Sequence, residues 1–240
     1  GELQARILGR WAAKDGHKNI TILFGAVAAF EVIAKNVEPG AKSFKADSNI
    51  TMYPVKFGST DYAPIALDLA NKKPDAIVAL LVEQEMVALI KELRQQNFKL
   101  QLYTWAPNVS NSLVALAGPG MEGLKAVSYV NPPTLDTPAM KEYRDALAKY
   151  APNEKPDYVS LTSFALTKIF VEAVRRINGP VTRPALVQAM NSMKAYDTGI
   201  LPPVTYGPDR HNGNSQLHRV QLVNGRWTTS GPPVEAEQAW

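Results

Sequence analysis

The chain has 240 residues, 45% hydrophobic and 20% charged, with a net charge of +4 and no cysteine. That length buries a sizeable core, as one large domain or two small lobes, and the missing thiols exclude disulfides and thiol chemistry. No run of about 18 or more apolar residues exists to span a bilayer. The basic residues are scattered, with Lys72-Lys73 and Arg175-Arg176 the longest runs. Nucleic-acid binders concentrate charge and interleave aromatics, so no nucleic-acid partner is expected. The opening Gly1-Glu2-Leu3 lacks an apolar leader, as in a cytosolic protein or a mature exported one whose leader has been removed.

Residues 3–14 carry apolar groups at helical spacing, and Asp15-Gly16 stops them. ITILF (20–24) is β-branched and strand-length. A small-residue turn, Gly25 to Ala29, opens a second helix predicted to end near Pro39-Gly40. TMYPVKF (51–57) reads as a strand whose Pro54 suits a sheet edge or a bulge. A helix then runs to Asn71, with Ser59, Thr60 and Asp61 as N-cap candidates and Pro64 in its first turn.

Pro74-Asp75 breaks that helix, and AIVALL (76–81) follows, apolar on both faces as in parallel sheets covered on both sides. The unit then repeats: a helix over Glu83–Gln96, a strand over 100–105, a short helix over Asn108–Leu116 stopped by Gly118, and a strand over 124–130. Strands and helices alternating at this spacing imply βαβ crossovers and a doubly wound parallel sheet, an α/β fold.

After Asn131-Pro132-Pro133 three helices come in succession, over 138–150, 158–177 and 183–194, with no strand between them. The second is apolar around most of its circumference and is expected to be deeply covered. The tail turns to β: PPVTY (202–206), then the hairpin 218–229 with Asn224-Gly225 at its turn.

No residues stand ready for catalysis. His17, His211 and His218 fall in polar turns or at a strand edge without metal-ligand spacing, so no metal is expected. The sequence contains no G-x-S-x-G elbow and neither phosphate-binding glycine motif. Glu83 and Glu85 point in different directions on a helix, where first-turn dipole complementation accounts for them. Candidates for binding lie instead in the loops after the strands, where open α/β sheets take ligands. These loops hold small apolar residues, the aromatics Phe30, Trp105 and Tyr129, and the amides Asn108 and Asn131. That mixture suits a pocket that holds a small organic molecule without transforming it.

The passage GSTDYAPIALDLANKKPDAIVALL through MVALIKELRQQNFKLQLYTW resembles the solute-binding proteins of branched-chain amino-acid type ABC importers, the type I periplasmic binding fold. MEGLKAVSYV, TPAMKEYRDALAKY, ALTKIFVEAVRRI and TGILPPVTYGPDRHNGNSQLHRVQLVNGRW are similar to later blocks of the same family, in the same order. The resemblance implies two α/β lobes joined by three crossing segments, closing by a hinge on a ligand between them. It assigns residues 1–130 to the second lobe, 131–197 to helices of the first lobe, and 198–240 to a return crossing and a hairpin rejoining the second lobe. Most of the first lobe is then missing, and a fragment or truncated form is the expectation.

Transferred residue by residue, the family's second-lobe binding positions fall at Ala29 or Phe30, at Val82 or Glu83, and at Ala106. Phe30 and Glu83 can fill such roles, whereas Ala106 offers no side-chain acceptor for an ammonium group. The expected ligand-binding set is Ala29, Phe30, Val82, Glu83, Trp105, Ala106, Asn108 and Tyr129. An unpaired buried cation is costly, so an apolar or aromatic carboxylate is expected ahead of a free amino acid. The resemblance further implies a periplasmic protein delivering solute to an ABC permease, without enzymatic activity or cofactor. An intracellular ligand sensor is the alternative, and exposed first-lobe helices offer a contact for a homodimer.

Overall fold

The run AIVAL at 76–80 is buried at every position, and a strand that must be covered on both faces dictates what surrounds it. In the computed structural model, which describes residues 1–235, this run is β3 (Ala76–Leu80). It lies between β1 (Asn19–Gly25) and β4 (Gln101–Thr104). The parallel sheet continues to β2 (Asn49–Val55) on one side and β5 (Lys125–Ser128) on the other. Winding reverses between β1 and β3. The helices fall into two sets accordingly: α1 (Glu2–Lys14) packs with α2 (Ala28–Ala34) and α3 (Val37–Phe44), and α5 (Glu83–Gln95) packs with α4 (Ala63–Lys72) and α6 (Asn111–Ala117). This is the doubly wound α/β arrangement the alternation implies.

Pro54 falls on the edge strand β2. At the far side β6 (Gln216–Val223) runs antiparallel to β5, and β7 (Arg226–Thr229) completes a hairpin. Asn224 and Gly225 turn it at φ 52° and 70°, the left-handed pair that a two-residue type I′ turn needs. A short β8 (Val234–Glu235) also pairs with β6. Asp15, just past α1, ties that helix to the sheet by accepting from the Tyr103 hydroxyl and, at 2.7 Å, from Lys125 Nζ.

The single helix predicted to end at Pro39-Gly40 is two helices, and Pro39-Gly40 lies in the first turn of α3. A proline is harmless there because first-turn N–H groups have no partner within the helix. Gly40 serves close approach: a Cβ on it would sit 2.1 Å from the Arg6 carbonyl oxygen, and one on Gly9 would sit 2.1 Å from that of Val37. PPVTY is not a strand; a lone bridge joins Tyr196 and Val204, since Pro202 and Pro203 remove two ladder donors.

By internal contacts the described chain divides into two units, Gly1–Ser128 with the segment from His218 onward, and Tyr129–Leu217. The second contains α7 (Pro138–Tyr150), α8 (Tyr158–Arg175) and α9 (Arg183–Asn191). Thr137, Asp157 and Thr182 cap them by accepting from Met140, Val159 and Ala185 N–H. Tyr143 staples α7 to α8: its hydroxyl lies 2.6 Å from Ser160 Oγ and accepts from the Asp157 N–H at 3.0 Å, and its ring meets Phe164 edge-on. The expectation of deep cover for α8 fails, since Val159, Leu166 and Phe170 are each more than half exposed. Its apolar circumference is wider than the surface α7 and α9 can shield.

His218 also departs from expectation. It is 3% exposed on β6, opposite Ser128, and among the described residues neither ring nitrogen has a hydrogen-bond partner. Burial lowers its pKa from 6.5 to about 4. Above pH 6.5 both folded and unfolded states carry neutral imidazole. As pH falls towards 4 the unfolded chain takes up a proton that the folded chain refuses, so stability declines through that window and levels off below it.

Gly40→Ala drives a methyl into the α1 backbone and is expected to lower unfolding stability by about 1–3 kcal/mol in urea titration. Between pH 7 and pH 4, the stability of the wild type should fall by up to about 3 kcal/mol more than that of His218→Leu, read as the difference between their urea midpoints.

Candidate ligand-binding site

At the carboxyl ends of β1, β2 and β4 the chain delivers three aromatic rings. Phe30 comes from the first turn of α2, Phe57 from the segment just after β2, and Trp105 from the residue after β4. The Phe30 ring meets Trp105 at 5.3 Å between centroids and Phe57 at 5.6 Å, both edge to face, the geometry that ring quadrupoles favour. Gly25, the last residue of β1, makes room for them: a Cβ there would lie 2.9 Å from Phe57 and 3.0 Å from Phe30 ring carbons. Trp105 is nearly buried, Phe30 is half-buried and Phe57 is 48% exposed, so the rings step from core to surface.

A buried polar network fixes the innermost ring. The Trp105 indole N–H donates to the Leu81 carbonyl at 2.8 Å, and Asn108 Nδ2 donates to that carbonyl at 3.0 Å and to Thr104 Oγ1 at 2.8 Å. Thr104 Oγ1 donates on to the Ala79 carbonyl at 2.8 Å. Trp105 and Asn108, both expected at the ligand, are thus both engaged in this buried network. Ala106 is buried as well, and its N–H donates to Gln4 Oε1 of α1 at 2.8 Å.

The rim's charge comes from Glu83, the first residue of α5 at the end of β3. Ser110 Oγ and Ser112 Oγ each donate to one of its carboxylate oxygens, both at 2.7 Å. Ser110 also caps α6, accepting from the Leu113 N–H at 3.0 Å. Glu85, two residues on, is 1% exposed and accepts from the N–H groups of Gly58 at 2.7 Å and Val82 at 3.2 Å. The carboxylate of Glu85 thereby caps α5 and holds the turn after β2. The buried Tyr62 hydroxyl is raised well above the usual phenol range, by burial first and by the Glu85 charge second.

Val82 is the half-buried N-cap of α5, and Ala29 is exposed in the first turn of α2. Tyr129, 39% exposed, is the first residue of the second unit. Phe57 and Ser112 lie outside the loops that sequence reading selects, and Gly25 and Ser110 lie inside them without being singled out. Phe57 was absorbed into the β2 run, and only the Ser-x-Ser spacing at a helix start hinted at a carboxylate partner.

Rings graded from core to surface and one oriented carboxylate thus stand at the carboxyl ends of neighbouring strands, the place where open α/β sheets take ligands. The chain belongs to the periplasmic binding protein family, whose sequence profile matches residues 2–226. Solved structures share its fold, that of branched-chain amino-acid type solute-binding proteins. A branched-chain amino acid ABC transporter protein from Thermus thermophilus with bound valine is 18% identical, with a TM-score of 0.88 over 98% of this chain and 65% of its own. A possible leucine/isoleucine/valine-binding protein from Rhodopirellula baltica SH 1 is 21% identical, with a TM-score of 0.86 over 95% and 64%. A solute-binding protein from R. palustris in complex with benzoate is 19% identical, with a TM-score of 0.77 over 97% and 64%. The chain thus spans less than two thirds of the length of several of these relatives. No curated protein matches it.

Asn108→Leu removes both donor bonds of a fully buried amide. It is expected to lower stability by about 1–3 kcal/mol in urea titration and to shift the emission of Trp105, whose hydrogen-bond partner it disturbs.

Proposed function

We propose that this chain is the solute-binding part of an ABC-type importer, working outside the cytoplasm and delivering a small organic solute to a membrane permease. Residues 1–128 and the segment from His218 onward serve as one lobe of the binding clamp, and residues 131–197 cover the other. The family assignment supports transport. What carries the ligand reading is the aromatic step of Phe30 and Phe57, with the serine-held carboxylate of Glu83 at the end of β3, the strand next to β1.

Those groups define what the solute presents to this lobe. An apolar or aromatic body lies on Phe30 and Phe57. A hydroxyl or ammonium donor meets Glu83, whose charge repels a ligand carboxylate from this rim. Among structures of the same fold, one R. palustris protein binds benzoate and one from Rhodopseudomonas palustris BisB5 is in complex with 3,4-dihydroxybenzoic acid. Rings that carry a carboxylate at one end and a donor at the other match the chemistry proposed here, with the donor end facing Glu83.

Calorimetric titration with 3,4-dihydroxybenzoate and benzoate tests this reading. The dihydroxy compound is expected to bind more tightly, and Glu83→Gln to narrow that preference. Phe30→Ala, or Gly25→Ala, whose methyl displaces both rings, should weaken binding roughly tenfold. Affinity indifferent to all three substitutions would remove the ligand from these strand ends.

A further inference from the structure

At the opposite end of the sheet, beside the amino end of β4, a groove of about 360 Å³ opens between the end of α5 and the 3₁₀ turn Gly118–Met121. Its floor is Ile90, Leu93 and Leu102, all nearly buried. Phe98, Pro119 and Gly120 also line it. Asn97, at φ 52°, turns the chain sharply at the end of α5, and the Phe98 N–H returns to the Leu93 carbonyl at 2.9 Å. Gly120 leaves space for the Arg94 stem, since a Cβ there would lie 3.1 Å from Arg94 Cδ.

The charges around this apolar floor are unbalanced. Arg94 and Lys99 border the groove, and neither has an ion pair or side-chain hydrogen bond with another described residue. The bordering carboxylate, Glu122, is engaged elsewhere: it accepts from the N–H groups of Asn224 at 2.7 Å and Gly225 at 3.3 Å in the hairpin turn. An apolar trough with two uncommitted cations at its lip is complementary to one kind of small molecule. Its volume lies at the small end of the range for organic ligands, too small for a helix or a second copy of the chain.

We infer that this groove is a second binding site, for a small amphipathic monoanion such as a medium-chain carboxylate. The tail lies on Ile90, Leu93, Phe98 and Leu102, and the carboxylate sits between Arg94 and Lys99. The guanidinium offers paired donors and the ammonium a mobile point charge. The site is separate from the rim of Phe30 and Glu83, at the other end of the strands, and does not depend on the function proposed for that rim.

The test is a titration of the whole chain, isotopically labelled at Ile and Leu methyls, with sodium octanoate below its micellar concentration. Octyltrimethylammonium is the charge-reversed control. Octanoate should shift the methyl signals of Ile90, Leu93 and Leu102 saturably, and the cationic control should not. Arg94→Ala with Lys99→Ala, both at exposed positions, should weaken binding roughly tenfold, whereas Phe30→Ala with Glu83→Gln should leave the groove signals unchanged. Equal response to both amphiphiles, indifference to the loss of Arg94 and Lys99, or shifts confined to residues near Phe30 would each overturn the assignment. Loss of solute binding at the rim with the groove signals intact would instead overturn only the function proposed above.

Discussion

The carbonyl of Leu81 is the constraint on which the strand-end surface depends. Leu81 is fully buried just past the end of β3, where the ladder to the neighbouring strands has run out. A buried carbonyl without a partner is costly. The chain solves the problem with side chains from the next crossover, the Trp105 indole and the Asn108 amide. Because the indole must turn its N–H to that carbonyl, its ring orientation is no longer free. Phe30 stands at 89° to it and Phe57 at 71° to Phe30. The exposed aromatic face thus begins with a backbone acceptor in the core.

Most of the fold was readable because burial and periodicity agree there. The all-apolar run at 76–80 demanded helices on both sides, and α7 starts and ends where its pattern does. The misread places are those where one residue type serves two physical purposes. Pro39-Gly40 looks like a helix stop, yet one residue fits the first turn of α3 and the other admits the α1 backbone. His218 sits among residues that alternate in burial along β6; histidine reads as polar, and only the register opposite Ser128 turns it inward. The hydrophobicity of α8 announced that its surface needs cover but carried no address for the cover. Along that helix Ser163 and Thr167 turn their hydroxyls back onto the carbonyls four residues earlier, which leaves Val159, Leu166 and Phe170 on a face with few unmet polar groups.

The candidate site is legible in the sequence only as a set of loops, chosen by position and not by residue. Topology places ligands outside the carboxyl ends of the strands where winding reverses, and Phe30, Glu83 and Trp105 are all there. What the sequence could not show is which of them are consumed by the fold. Hydrogen-bond demand is a property of three-dimensional neighbours: Asn108 and Ala106 are committed to Leu81, Thr104 and Gln4, while Ser110 and Ser112 gain meaning only once α6 is folded beside α5.

The two glutamates of the first turn of α5 show how that commitment separates structure from recognition. Both lie at the positive end of the helix dipole, which favours a carboxylate at either position. Glu85 turns inward and is saturated by backbone N–H groups that cannot move without unwinding α5 or the turn after β2. Glu83 turns to two serine hydroxyls, each of which satisfies one lone pair and leaves another on the same oxygen. A carboxylate held by hydroxyls is oriented without being exhausted, and it remains an acceptor at the surface. The sign of that charge, at the end of a strand next to rings whose faces are themselves weakly negative, is the reason the proposed guest turns its electropositive end to Glu83 and its anionic end away.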